Sequence, residues 1–448
     1  MSTYFFIIMS ELATPTRRLF LKNATLAIVG TSLNPAQLLA QSASSGRVYR
    51  SRDTKDGIVG KEPERSLATF LIGVDTIFGG NVLDPSGAKH FLVDIWTSGR
   101  ELPPVYHDKY ASVLRERGGV YGKVDRKELS EFIKRHNLRG LPDIIRSNLP
   151  TDDPIRAEYI RNQLRAFETL LNTGVAMVAG TNLPTFDERY RAATGLDSLQ
   201  LYDPRKIRAQ LEDALSKAGY NVTSRRNLRE TFLAWNEQQG VLGREDLAPK
   251  AREITDILLA KTAEVIFPIL RENGVTMPDG SPLMIDNLRT GHRFNTVSGQ
   301  NYTGYSLFEG GERDGNPLLS GLFEYNTDHP KTLAGMVHLV GHEVMPGHYF
   351  NSAVADLLWR QNRLGLEITM ATIGTSSTAF QEGWAENSLF LLYSGMEGIK
   401  ERFGASIEIA LLNAQFESVA KHNAGILYQV HKWNEEQVGK YIAEQCVQ

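Results

Sequence analysis

Gly341-His342-Glu343-Val344-Met345-Pro346-Gly347-His348 places a His-Glu pair, a helix breaker and a second His within eight residues. It is close to the H-E-x-x-H pattern, in which two imidazoles on one helix face bind zinc and the Glu acts as base. The spacing differs, because His342 and His348 are six apart, whereas helix neighbours on one face are about four apart. Pro346 lacks an N–H, and its ring conflicts with the carbonyl of His342. Gly347 has backbone angles closed to other residues. The Pro-Gly pair is therefore expected to fold the chain back and return His348 to the face of His342. The plainer alternative is a helix that ends at Met345, followed by a turn with an exposed His.

A third ligand is sought in the next acidic, helix-compatible segment, Thr378-Ala379-Phe380-Gln381-Glu382-Gly383-Trp384-Ala385-Glu386. Thr378 and Gln381 have capping-box spacing and would start a helix just before Glu382. The apolar run Leu389 to Tyr393 makes that helix largely buried, where a Glu is costly unless it is paired or bound to a metal. Open catalytic zinc sites commonly use two His and one carboxylate. The expected metal set is thus His342, His348 and Glu382 around Zn2+, with Glu343 as general base on a metal-activated water. Glu386, one turn after Glu382, is a candidate to orient a ligand His. His338 lies one turn before His342, so a rival set of His338, His342 and a carboxylate stays open.

His342-Glu343-x-x-Pro346-Gly347-His348 followed by Glu382-Gly383-Trp384-Ala385 resembles the bacterial family called domain of unknown function 885. Phe323-Glu324-Tyr325-Asn326-Thr327 resembles a further segment of that family. The resemblance covers roughly residues 150 to 440. It implies a gluzincin-type, mainly helical zinc metallopeptidase. The family also carries an Asp-Thr-Gly-x-His element further on. Here that stretch is Asn423-Ala424-Gly425-Ile426-Leu427, so the Asp is replaced by Asn423 and the His by Leu427. His422 and His431 are nearby substitutes for the lost His. Trp433-Asn434-Glu435-Glu436-Gln437 still fits the family, whereas its later Pro-Gly-Gln region is not found in this sequence.

Near the start, Thr16-Arg17-Arg18-Leu19-Phe20-Leu21-Lys22 fits a twin-arginine export signal, with a mildly apolar stretch from Ala24 to Leu39 and small residues at Ala40 and Ser42. Residues 1–42 are read as that signal, with the start at Met1 or Met9, residues 43–63 as a linker and 64–448 as one mostly helical domain. Its metal-site portion is 273–448. The expected location is the periplasm. A net charge of −3, with acids and bases mixed, implies no nucleic-acid partner. The single Cys446 excludes an intramolecular disulfide. No apolar run in the mature chain is long enough to span a bilayer.

Helical periodicity dominates after the linker. Ile160, Leu164, Phe167 and Leu171 mark a helix introduced by Pro154. Ile207, Leu211 and Leu215 mark another, between Pro204 and Gly219. Ile254, Ile257, Leu258 and Val265 mark a third, ended or kinked by Pro268. Between 273 and 330, Tyr302, Tyr305, Leu307, Phe323 and Tyr325 read as short strands around the loop 309–317, an antiparallel hairpin beside the metal site. Such a hairpin could pair with an extended substrate. Asp328 and Pro330 would start the motif helix. Tyr302 or Tyr305 is a candidate to stabilise an oxyanion, and His292 and Arg293 to reach a substrate carboxylate. The expected fold is therefore mainly α, with a small sheet. The expected function is an exported zinc hydrolase acting on peptides or another amide. The alternative is a catalytically impaired periplasmic protein that binds metal or peptide.

Overall fold

The structure, a computed structural model, describes residues 64–77, 104–105, 108 and 125–445, apart from 152, 197–198, 223–226, 300–302, 314–315, 362, 371 and 373. The export and linker readings over 1–63 lie outside the described residues, as does Tyr302. The described chain is mainly helical with one small sheet, as the periodicity predicts.

Helices α1 (Glu64–Ile77), α2 (Arg126–Arg135), α3 (Leu141–Ser147) and α4 (Pro154–Ala179) pack around Phe70, Phe132, Leu164 and Phe167. Pro154 stands in the first turn of α4, and Asp153 caps it by accepting from Arg156 N–H, so the expected start of this helix holds. Next come α5 (Phe186–Thr194), α6 (Arg205–Lys217), α7 (Leu228–Gln239), α8 (Arg244–Val265), α9 (Phe267–Glu272) and α10 (Ile285–Arg289). Pro204 is the residue before α6, and Pro268 lies in the first turn of α9, where the α8 helix has broken off.

The sheet consists of β1 (His292–Val297), β2 (Gly304–Arg313) and β3 (Asn316–Asn326), in the order β1-β3-β2. β2 and β3 form the expected antiparallel hairpin, but they run well into the segment read as a loop. β1 adds a parallel partner on the far side of β3, from His292↔Gly321 to Val297↔Asn326, so the sheet is mixed. The chain ends with α11 (Leu333–Glu343), α12 (His348–Arg360), α13 (Ser376–Tyr393), α14 (Met396–Phe403), α15 (Ser406–Gln429) and α16 (Glu435–Gln445). α6, α7 and α15 enclose Leu211, Trp235 and Phe416. The largest cluster joins the sheet to α8, α11, α12 and α13 through Phe323, Met336, Val340, Tyr349 and Leu389.

Two helix starts differ from expectation. α11 begins after Thr332, whose hydroxyl accepts from Gly335 N–H at 3.1 Å, whereas Asp328 is occupied as acceptor for Gly299 N–H. α13 begins after Thr375, and the Thr378 hydroxyl donates to Thr372 O at 2.7 Å instead of forming a box with Gln381. Asp328 is engaged by a contact 29 residues away in sequence, whereas the α13 start goes with hydroxyl contacts to Thr372 that capping-box spacing does not report.

Candidate metal centre

The motif folds as a break between two helices. Val344 and Met345 N–H both donate to Val340 O, at 2.8 and 3.1 Å, which closes α11. Gly347 then precedes α12, and His348 is that helix's first residue. Tyr349 fixes the new helix against the sheet: its ring is fully buried and its hydroxyl donates to Leu288 O at 3.0 Å and Leu319 O at 2.6 Å. Burial of such a side chain is worth about 1.5–3 kcal/mol. Gly321 makes the approach possible, since a Cβ there would lie 2.5 Å from the Tyr349 ring.

α13 delivers the carboxylates. Gly341 lets it come close, because a Cβ at that position would meet Leu389 at 2.7 Å. The Ser388 hydroxyl donates to Gly341 O at 2.9 Å, and the Trp384 indole N–H donates to Pro346 O at 2.6 Å. The second of these contacts ties the Glu-Gly-Trp segment directly to the bend between the two His.

The result is the convergence expected from the sequence. His342 Nε2 and His348 Nε2 are 3.2 Å apart. Glu382 places Oε2 at 3.5 Å from the former and Oε1 at 3.5 Å from the latter. Donors about 2.1 Å from a tetrahedral zinc are separated by roughly 3.4 Å, so this set fits a divalent ion held by these three residues. Glu382 is the open side of the group, its side chain 46% exposed. Glu386 Oε1 lies 3.5 Å from His342 Nδ1, and its Oε2 lies 3.4 Å from His338 Nε2. That contact favours the proton on Nδ1 and a bare Nε2 facing the other ligands. The set His338, His342 and Glu386 is itself compact enough to hold an ion.

Electrostatics agree with a demand for positive charge. Burial works against charging His342, but Glu382, Glu343 and Glu386 outweigh it and raise the imidazole to about 10. Burial likewise opposes ionisation of Glu382 and Glu386. The facing imidazoles prevail and hold Glu382 well below the usual carboxylate range and Glu386 at about 2. Glu343 behaves differently: it is 8% exposed, and burial pushes its carboxyl up despite His342 and His348. Its Oε1 is 4.0 Å from His342 Nε2, and the backbone of Ser306 on β2 lies near enough to the carboxyl to counter part of that rise. The edge strand of the sheet therefore borders Glu343.

The remaining candidates go elsewhere. His292 is half-buried against the aromatic core, its ring 4.5 Å from Tyr349 and 4.8 Å from Phe294, and burial lowers it to about 3. Arg293 pairs on the surface with Glu309. Tyr305 sits opposite Glu324 on β3, and burial, Glu324 and Glu309 raise its phenol. His422 Nε2 meets Gln200 O at 2.9 Å, and its ring stacks near Tyr202.

Asn423 has a structural task. Its amide oxygen accepts from Tyr202 N–H at 2.8 Å, while its NH2 donates to Tyr202 O at 2.7 Å and to the Tyr441 hydroxyl at 3.0 Å. A carboxylate could not both accept and donate to that backbone, which accounts for Asn at this position. Leu427 lines a neighbouring cavity with Tyr202, Trp433 and Tyr441.

Sequence reasoning missed Ser306, whose contribution is a backbone group that no motif records, and Ser388, and it quoted Trp384 without a role. Among the described residues, no helix is long and apolar enough to cross a membrane. No family model matches the chain, and comparison with curated proteins and with solved structures returns no match.

Proposed function

We propose that this chain is an exported zinc-dependent hydrolase, with peptides or related amides as substrates. The observation that carries the reading is the convergence of His342 Nε2, His348 Nε2 and the Glu382 carboxylate, with Glu343 beside them. Zinc held by His342, His348 and Glu382 would supply a Lewis acid that polarises a carbonyl and acidifies water. Glu343 accepts the proton of the attacking water and returns it to the departing amine. Its burial raises the carboxyl toward the range in which it can take and release a proton near neutral pH. The Glu386 charge, 3.5 Å from Nδ1, favours the His342 tautomer that leaves Nε2 free to bind.

β2 is an edge strand next to Glu343, and an extended substrate adding to that edge would be recognised mainly through its main chain. The motif pair shared with domain of unknown function 885 supports the same chemistry, and the twin-arginine pattern around Arg17 and Arg18 supports export to the periplasm. Replacing both arginines by Lys should retain the precursor in the cytoplasm; unchanged periplasmic recovery would refute the export reading.

The second reading is a periplasmic metal- or peptide-binding protein without turnover. It is favoured by Asn423 and Leu427, which stand where the related family has an acid and a His, and by the structural engagement of Asn423 with Tyr202. Digestion of a broad peptide library by zinc-loaded protein separates the two. The hydrolase reading expects cleavage that falls about 10²- to 10⁴-fold in Glu343→Gln at unchanged zinc content. No cleavage by the parent protein favours the binding reading, and full activity in Glu343→Gln refutes Glu343 as base.

A further inference from the structure

His342 is flanked on both ring nitrogens. Nε2 faces His348 and Glu382, and Nδ1 faces Glu386, whose second oxygen reaches His338. We propose that His338 Nε2, His342 Nδ1 and Glu386 form a second divalent-cation position, which shares His342 with the first and excludes it. The inference rests on the reading that His342, His348 and Glu382 hold a metal.

The donor chemistry of the two sets is the same, two imidazoles and one carboxylate, and each is compact enough for one ion. His338 and His342 are one turn apart on α11, so helix geometry itself aims both rings to one side. Glu386 is brought to them by the close packing of α13 at Gly341. Its two oxygens address the two rings separately, at 3.4 and 3.5 Å, an arrangement in which one cation can replace both contacts. The second position is also the more sheltered one. His338 and Glu386 side chains are each 21% exposed, against 46% for Glu382.

Exclusion follows from the imidazole. A neutral ring has one lone pair and one N–H. An ion that takes Nε2 leaves the proton on Nδ1, which faces the Glu386 carboxylate at 3.5 Å. An ion that takes Nδ1 moves the proton to Nε2 and deprives the first position of a ligand. The two positions also differ in chemistry, since the first uses Nε2, which has Glu343 at 4.0 Å.

The test is a titration of metal-free full-length protein with Co2+, followed by its visible absorption and by calorimetry. Glu382→Gln opens the first position at a half-exposed side chain, where folding is not at stake; His348→Ala opens it from the other helix. The parent should bind about one ion per chain. Glu382→Gln should still bind one, with a changed absorption spectrum. Adding His338→Ala to Glu382→Gln should weaken that binding at least about tenfold more than His338→Ala weakens the parent. Equal effects of His338→Ala in both backgrounds would show that His338 acts only through Glu386, and would overturn the proposal. Two ions bound together by the parent would overturn the exclusion. A parent that binds no ion, or a His348→Ala variant with the parent's affinity and spectrum, would instead refute the first site itself.

Discussion

Gly347 and Gly383 both belong to the motifs, and the structure assigns them opposite tolerance. A Cβ built on Gly347 would lie 1.7 Å from His342 O, 2.3 Å from His342 C and 2.6 Å from Gly341 O. Ordinary contact of a Cβ begins at 3.4 Å, so relieving the 1.7 Å contact in Gly347→Ala must open the bend by 3.4 − 1.7 = 1.7 Å. The ligands tolerate only about 0.2 Å, and His342 Nε2 and His348 Nε2 are 3.2 Å apart in the closed bend. The substitution should therefore weaken metal affinity at least about 100-fold, beyond an overpacking cost of about 1–3 kcal/mol in stability. By contrast, a Cβ on Gly383 meets nothing within 4 Å. Gly383 lies inside α13, so Gly383→Ala should stabilise the protein by up to about 1 kcal/mol with metal affinity unchanged. Metal affinity by competition with a chelator, alongside thermal unfolding of the metal-free forms, reads both quantities. If Gly347→Ala bound zinc as the parent does, the bend could not be what brings the two imidazoles together.

Trp384→Phe removes the bond to Pro346 O and should lower stability by about 1 kcal/mol and metal affinity about tenfold, as chelator competition would show. Asn423→Asp should lower stability by about 1–3 kcal/mol in denaturant titrations, because a carboxylate cannot donate to Tyr202 O, while metal content stays at the parent level. His292 is held neutral, at about 3 against an ordinary 6.5, so protonation favours the unfolded chain. Its contribution is complete above pH 6.5 and is lost as pH falls from there toward 3, which amounts to about 2 kcal/mol at pH 5. His292→Leu should flatten that part of the stability–pH curve, and an unchanged slope would count against a buried neutral ring.

The helices were legible because their apolar stripes and Pro starts are local; α4 and α6 begin at the positions Pro154 and Pro204 mark. The approach of His342, His348 and Glu382 was legible because His, Glu and a helix breaker at this spacing have few other uses. β1 was not, since His292 to Val297 reads as polar and its strand character comes only from pairing with β3. The same burial that sets His292 against the aromatic core is invisible in its neighbours Gly291 and Arg293. The α13 start was misplaced because Thr375 and Thr378 have equal local credentials, and contacts with Thr372 decide between them. Asn423 could be seen to depart from a family pattern, but its clamp on Tyr202 spans 221 residues and has no local signature.

The most direct test of the metal assignment is X-ray absorption of the zinc-loaded protein and of its His348→Ala variant, both carrying His338→Ala so that the second position is closed. The parent should show a first shell of two imidazole nitrogens and low-coordination oxygen, all at about 2.0–2.1 Å. His348→Ala should lose one imidazole from that shell. A parent that retains no zinc, a shell without imidazole scattering, or a shell untouched by His348→Ala would contradict a centre built from His342, His348 and Glu382.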